Sequence, residues 1–212
     1  RSILCGLVAA TMLIGALLLV FLEGCSATPS SPNKSETATT DTKPYGSLTI
    51  RTQFSQGGDP DPHLKGGTIS FQNLGIAIFD SLVEVTTEGQ VRPGIAERWE
   101  ISDDGMTHTF YIRKGVKFHD GSDLTAADVK FSMERVLSPA SMQNEATMWR
   151  ATIDKIELKD DYTVVIRMKS PQFDLLNGFQ NMGGGTAIVP KKYIEEKGVD
   201  YFKKHPVGSG PW

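Results

Sequence analysis

Four histidines are the side chains of this sequence that can change charge near neutral pH, so they are the first candidates for acid–base or metal chemistry. His63, His108, His119 and His205 are widely spaced, and none has a second histidine three or four residues away, as a metal site on one helix face would need. His119 is followed by Asp120, which makes this pair the sharpest candidate. Two interpretations stay open: a metal or hydrolytic site, and the favoured one, an imidazole that is hydrogen-bonded within a turn.

Other catalytic signatures are absent from the sequence. It contains neither the phosphate-binding pattern G-x-x-x-x-G-K-S/T nor the nucleophile elbow G-x-S-x-G. Both cysteines, Cys5 and Cys25, lie near the N-terminus, so no thiol or disulfide falls in the remainder. Gly183–Gly185 lacks the lysine that a nucleotide loop needs, and it is predicted to be a flexible loop. We therefore expect a protein that is not an enzyme, with no catalytic residue, no metal ligand and no cofactor.

Cys25 suggests a different chemistry, because it follows an apolar N-terminal segment. Ile3–Leu22 is apolar enough to be the core of a secretory signal or an uncleaved membrane anchor. The next residues, Glu23, Gly24 and Cys25, look like the end of a lipobox, in which the cysteine thiol receives a diacylglyceryl group, although glutamate is a departure at that position. We expect a lipoprotein signal peptide over 1–24 and a lipidated Cys25. The domain would then be anchored outside the cell membrane, either periplasmic or on the cell surface.

The stretch after Cys25 predicts a flexible connection and then a folded domain. Ser26–Pro44 is rich in Ser, Thr and Pro and has no apolar periodicity, which indicates a disordered tether over 25–45. The whole chain of 212 residues has a net charge of −3 and an ordinary apolar content, which is typical of a globular protein. Without a basic excess, nucleic acid is not expected as a partner.

The stretch 99–137 surrounds the histidine–aspartate pair, and its pattern predicts a strand, a turn and a helix. Thr107–Ile112 alternates apolar and polar residues, which indicates a strand, and an Asp-Gly turn follows. Thr125 begins a helix with Asp128 in capping-box position, and apolar residues at helical spacing come next. Ser138-Pro139 ends the helix.

The remaining patterns predict mixed structure without strict alternation of strands and helices. Ser47–Phe54 alternates as a strand, and the glycines and prolines of Gly57–His63 force a loop. Thr68–Leu82 has the spacing of a helix, and Ile153–Leu158 with Thr163–Met168 has that of a β-hairpin. Four aromatic residues at strand or helix periodicity are expected in the core: Trp99, Phe110, Phe118 and Phe131. The class is therefore α/β or α+β, with two lobes.

Six motifs together resemble one protein family. Arg113–Val129, which reads RKGVKFHDGSDLTAADV, resembles the most recognisable block of the peptide/nickel-type (family 5) solute-binding proteins of bacterial ABC importers. The other matching elements are Asp61-Pro62-His63, Phe79–Val83, Val91–Trp99, Ile188–Tyr193 and Val207–Trp212. The resemblance implies an α/β, two-lobed periplasmic-binding-protein-like fold of the class II type with mixed sheets, of which only the N-terminal part is present.

The resemblance also implies a domain division and a ligand site. Residues 46–79 and 190–212 would belong to the first lobe, and residues 80–189 to a subdomain inserted into it. Gly66, Gly67 and Thr68 match the stretch that contacts the peptide main chain in the oligopeptide binders. His63 could approach the ligand as well, and its alternative is packing within the loop.

The function implied is the capture of di- or oligopeptides outside the membrane by a monomer that delivers them to ABC permease and ATPase subunits. Three alternatives stay open. The same fold could bind nickel or another small solute, or serve as a sensor without a permease. An exported metallohydrolase would instead use His119 and Asp120.

Overall fold

The structure of the chain is a computed structural model, and it describes residues 61–64, 75, 77–86, 88–141, 143–176 and 187–211. The expectations for the signal peptide over 1–24, the tether over 25–45, the strand Ser47–Phe54 and the glycine loop Gly183–Gly185 lie outside these residues.

The described residues form ten regular elements along the chain. The strands are β1 (Val83–Val85), β2 (Val91–Pro93), β3 (Ala96–Ile101), β4 (Thr107–Ile112), β5 (Ile153–Asp160) and β6 (Thr163–Met168). The helices are α1 (Ala126–Leu137), α2 (Asn144–Thr152), α3 (Lys191–Lys197) and α4 (Val199–Lys204). Within the described ranges, no helix is long and apolar enough to cross a bilayer.

The strands form two antiparallel sheets. β1 and β2 make a two-stranded ribbon, and the larger sheet has the order β3-β4-β6-β5. The predicted strand Thr107–Ile112 is confirmed as β4. The predicted hairpin is confirmed as β5 and β6, with β5 running on to Asp160. Strands and helices are combined in one compact unit, as the predicted α/β class requires.

One hydrophobic cluster fills the space between the larger sheet and α1. Alternate side chains of β4 and β6 are buried on one face, because successive residues of a strand point to opposite sides. The apolar stripe of α1 covers that face with Val129, Met133 and Val136. Of the four aromatic residues expected in the core, Phe110 and Phe118 are buried, whereas Trp99 and Phe131 are half-buried.

Helix α1 is held at both ends by side chains. The predicted capping box is confirmed: the Asp128 carboxylate accepts the backbone N–H and the hydroxyl of Thr125, both at 2.9 Å. At the other end, the Arg150 guanidinium donates to the carbonyls of Leu137 and Ser138 at 3.0 and 2.6 Å. The last carbonyls of α1 therefore have a cationic partner, which stabilises the end of the helix dipole.

A second hydrophobic cluster lies beside the first. It joins the chain just before β1 to α3 and α4, and its buried members are Phe79, Ala187, Val189, Ile194 and Phe202. Phe131 of α1 packs against this second cluster, so α1 contacts both.

The predicted helix Thr68–Leu82 is wrong at its C-terminal end. Helical residues extend only to Ile78, and Ser81 makes an antiparallel bridge with Ala187. Apolar spacing alone continues through Leu82, but the bridge to a distant segment holds the chain extended there.

Candidate functional site

Two chain crossings connect the two hydrophobic clusters, and the candidate site is built around them. The outgoing crossing is formed by residues 79–82, and the returning one by residues 187–190. Besides the Ser81–Ala187 bridge, the Ile188 N–H donates to the Asp80 carbonyl at 2.9 Å. The two crossings therefore lie side by side and are hydrogen-bonded to each other.

A buried polar cluster lies against the returning crossing. Asp61 and His63, on the loop 61–64, are almost fully buried. The Asp61 carboxylate forms an ion pair with Arg135 of α1 and also accepts the backbone N–H of His63 at 3.0 Å. A carboxylate buried at this depth needs such a cation and such donors to offset the loss of water.

The connection between α1 and α2 supplies two further contacts to the same loop. The Ser141 hydroxyl donates to the His63 carbonyl at 2.9 Å, and the Gln143 side-chain amide donates to the Pro62 carbonyl. Two side chains of this one connection thus satisfy consecutive carbonyls of the loop. The backbone of 61–64 is fixed by this arrangement, and with it the position from which residue 65 continues.

The His63 ring is completely buried and neutral. Its Nε2 lies 2.8 Å from the Ala187 carbonyl, which can only accept, so we assign the proton to Nε2. Burial, assisted by the nearby positive charge of Arg135, lowers the pKa of His63 to about 4. Nδ1 is then an acceptor, and it has no partner among the described residues.

His119 lies at the tip of a short hairpin over residues 116–124, and its partners are on the segment 207–211, which we call the strap. The backbone N–H of His119 donates to the Gly208 carbonyl at 2.8 Å, and its Nε2 donates to the Gly210 carbonyl at 2.8 Å. The Gly208 N–H approaches Nδ1 at 3.4 Å. The favoured interpretation expected partners within the turn, and this detail is wrong, because the ring bonds to a segment far along the chain.

Asp80 and Ser209 lie near His119, but the group is not arranged for catalysis. Both ring nitrogens of His119 are taken up by backbone groups, so the ring is not oriented as a base toward the Ser209 hydroxyl. Burial raises the pKa of the half-buried Asp80 carboxyl, and the nearby Ser209 hydroxyl partly opposes this. Across the described ranges, no three His, Cys, Asp or Glu side chains are grouped closely enough to hold a metal ion.

The other two histidines have local roles. His108 is buried in β4, with Nε2 at 2.8 Å from the Gln172 carbonyl, and burial lowers the pKa of its ring. His205 is exposed and stacks on Tyr201 with ring centroids 4.2 Å apart. Neither lies with His63 or His119 in a common site.

A surface cleft of about 400 Å³ lies at the corner of the larger sheet, beside the turn between β5 and β6. Its polar groups are used within the turn. The Asp160 carboxylate accepts the Tyr162 N–H at 2.8 Å, and the Lys114 ammonium lies 5.4 Å from the centre of the Tyr162 ring. These contacts stabilise the turn.

Of the predicted ligand-contacting residues, only His63 falls within the described residues. Gly66, Gly67 and Thr68, like the lipidation site Cys25, lie outside them. A direct contact of His63 with a ligand stays a prediction. No pattern in the sequence indicates the contribution of Arg135, because it meets Asp61 across 74 positions of the chain.

Comparison with known proteins gives one family. The model of the bacterial extracellular solute-binding proteins, family 5 (middle), matches residues 90–212. The glutathione-binding protein GsiB of Salmonella choleraesuis (strain SC-B67) is 33% identical over 152 residues, which cover 72% of this chain and 29% of that protein.

Two solved structures show the same likeness in three dimensions. The periplasmic binding protein DppA from Helicobacter pylori, in complex with the peptide STSA, matches with a TM-score of 0.62 and 29% identity over 73% of this chain and 34% of its own. The binding protein MoaA from A. tumefaciens R10, in complex with mannopinic acid, matches with a TM-score of 0.65 and 34% identity over 73% of this chain and 31% of its own. The chain thus spans about a third of the length of these relatives.

Proposed function

This chain belongs to the family 5 solute-binding proteins of bacterial ABC importers, and from that premise we propose that the whole protein binds di- or oligopeptides for import. It captures the peptide outside the cytoplasmic membrane and delivers it to the permease and ATPase subunits of a transporter. Its work is a difference in affinity between an open and a closed arrangement of two lobes, without a chemical step.

The observation that carries this proposal is the anchoring of the loop 61–64. Asp61 and the carbonyls of Pro62 and His63 are held by side chains of α1 and of the α1–α2 connection. The residues proposed to contact the ligand, Gly66–Thr68, follow this fixed point directly. A binding protein that recognises peptide backbones needs its own main chain held at a defined position, because backbone pairing is directional.

We include His63 in the proposed ligand site together with Gly66, Gly67 and Thr68. Its Nδ1 is an unprotonated acceptor without a partner among the described residues, and a peptide N–H is a donor that would suit it.

The proposed domain division places residues 46–79 and 190–212 in the first lobe and residues 80–189 in the inserted subdomain. The two hydrophobic clusters support it: the buried members of one lie within residues 82–188, and the other joins Phe79 to α3 and α4. The crossings between the clusters fall at the proposed boundaries.

The proposed location is outside the cytoplasmic membrane, where a lipid on Cys25 anchors the protein. In this proposal residues 1–24 are a lipoprotein signal peptide and residues 25–45 are the tether. In the same proposal the protein works as a monomer.

The metallohydrolase alternative loses its support, because the His119 ring nitrogens face the carbonyl of Gly210 and the N–H of Gly208. A non-peptide solute is the competing function, and the relative MoaA was solved with mannopinic acid bound.

Mass spectrometry of the small molecules released from the purified full-length protein tests the ligand class. We expect intact peptides, and binding by calorimetry that tolerates changes of peptide side chain. The matched control is the same peptide with N-methylated backbone amides, which should bind at least tenfold more weakly. Release of a sugar conjugate or a metal complex, with no peptide bound at millimolar concentration, would refute the peptide assignment.

A further inference from the structure

The contact between His119 and the strap joins the inserted subdomain to the chain that follows α4. His119 is exposed, yet its backbone N–H and its Nε2 each donate to a strap carbonyl at 2.8 Å. An exposed residue whose main chain and side chain each bond to a carbonyl of a distant segment restrains that segment at one defined place.

The other side of the strap packs directly on the residues before the outgoing crossing. A Cβ added to Gly208 would overlap the Ile78 carbonyl, and one added to Gly210 would lie 2.7 Å from the Ala77 oxygen. The Gly210 N–H also donates to the Ile78 carbonyl at 2.9 Å. The strap is therefore enclosed between the helix end at 77–78 and the hairpin tip at His119.

A second attachment between the same two parts of the molecule is buried. The Ser132 hydroxyl of α1 accepts the Val189 N–H at 2.9 Å, and the Asp128 carboxylate accepts the Lys191 N–H at 2.9 Å. Phe131 of the same helix packs against the second cluster. This attachment is part of the core and does not depend on His119.

The contacts of loop 61–64 with Arg135, Ser141 and Gln143 also join these two parts, and they too lie at α1 and the α1–α2 connection. The hairpin tip at His119 meets the strap at a separate place. We propose that His119 is a positioning residue: its bonds to the strap fix the orientation of the inserted subdomain relative to the first lobe. This inference rests on the proposed two-lobed function, in which the relative orientation of the parts shapes the ligand cleft. The buried contacts of α1 and of the α1–α2 connection hold the two parts together, and the exposed contact at His119 restrains their orientation at the hairpin tip.

Spin labels test this orientation without any ligand. The spin labels are attached at one exposed position on each part, Lys155→Cys on β5 and Lys204→Cys on α4. The background is the mature full-length protein with Cys25→Ser. Pulsed electron resonance then measures the distribution of distances between the two labels. We expect His119→Phe, which has no hydrogen-bonding group, to broaden the distribution at least twofold. His119→Gln, whose amide can still donate to Gly210, should restore most of the native width. The matched control Lys117→Ala removes an ion pair with Asp123 within the same hairpin and should leave the distribution unchanged.

Amide exchange gives an independent readout on the same variants. Exchange at Gly208 and Gly210 should be about tenfold faster in His119→Phe and in the smaller His119→Ala, and native in His119→Gln. If folded His119→Phe and His119→Ala keep the native width of the distance distribution and the native amide exchange rates, the inference is overturned. Because no ligand is used, failure to recover a peptide refutes the proposed function without altering this result.

Discussion

Acidification from pH 7.5 to 4 should destabilise the fold through His63, and His63→Gln should remove that part of the loss. In the folded protein burial lowers the pKa of His63 to about 4, whereas the ordinary value is 6.5. As the pH falls, the unfolded chain binds a proton at this ring first. The contribution to stability is therefore fully present above pH 6.5 and is lost as the pH falls toward 4.

The size of the effect follows from the same difference in pKa. Each pKa unit corresponds to about 1.4 kcal/mol, so the free energy of unfolding should fall by about 3 kcal/mol between pH 7.5 and 4 on account of His63 alone. Glutamine has no proton to gain in this range, and its amide can donate to the Ala187 carbonyl as the ring Nε2 does.

Urea unfolding of the full-length protein at pH 7.5, 6, 5 and 4 measures this difference. His63→Gln should lower stability at pH 7.5, because it replaces a packed ring, but its curve should approach the wild-type curve in acid. The control Ser141→Ala removes a hydrogen bond to the same loop without a titrating group, and it should lower stability equally at every pH. Parallel curves for wild type and His63→Gln would refute the reasoning, since His63 would then titrate alike in the folded and unfolded states.

Three further perturbations test other parts of the argument. Arg135→Met leaves the buried Asp61 carboxylate without its guanidinium and should lower the free energy of unfolding in urea by about 3–5 kcal/mol. The control Lys130→Met removes an exposed ion pair on the same helix and should lower it by less than about 1 kcal/mol. Gly208→Ala places a methyl group into the backbone of the preceding helix end and should cost about 1–3 kcal/mol in thermal unfolding; a native melting temperature would show that the strap can move aside. Cys25→Ala should release the protein from membranes in cell fractionation, and a mature N-terminus at any other residue would contradict lipidation there.

The sequence predicted those parts of the fold whose causes lie within a few residues. Strand Thr107–Ile112 follows from alternation, and the start of α1 from the pairing of Thr125 with Asp128, both of which the structure confirms. The hairpin of β5 and β6 likewise depends on two adjacent runs and the turn between them. Such patterns are decisive because alternation and capping depend on neighbouring residues, even though β4 finds its backbone partners on β3 and β6.

Features that depend on distant partners could not be predicted in this way. The expected helix Thr68–Leu82 ran too far because the bridge from Ser81 to Ala187 decides the conformation there. The partners of His119 lie on the strap rather than in its own turn. In the candidate site, the motif residues Asp61 and His63 were visible, but the side chains that hold them were not, because charge and polarity alone do not indicate which distant residues meet.

The contact of His63 with Ala187 also sets an order of events during synthesis. The two residues are separated by 124 positions, and at 5–20 residues per second the second one is made about 6–25 s after the first. Throughout that interval the His63 ring lacks the Ala187 carbonyl that later accepts its hydrogen bond. The chain at Ser81 also lacks the segment with which it later pairs. The larger sheet, whose strands are complete by Met168, can pair earlier. The nascent chain should therefore acquire most of its first hydrophobic cluster while the second, which needs α3 and α4, is still unmade.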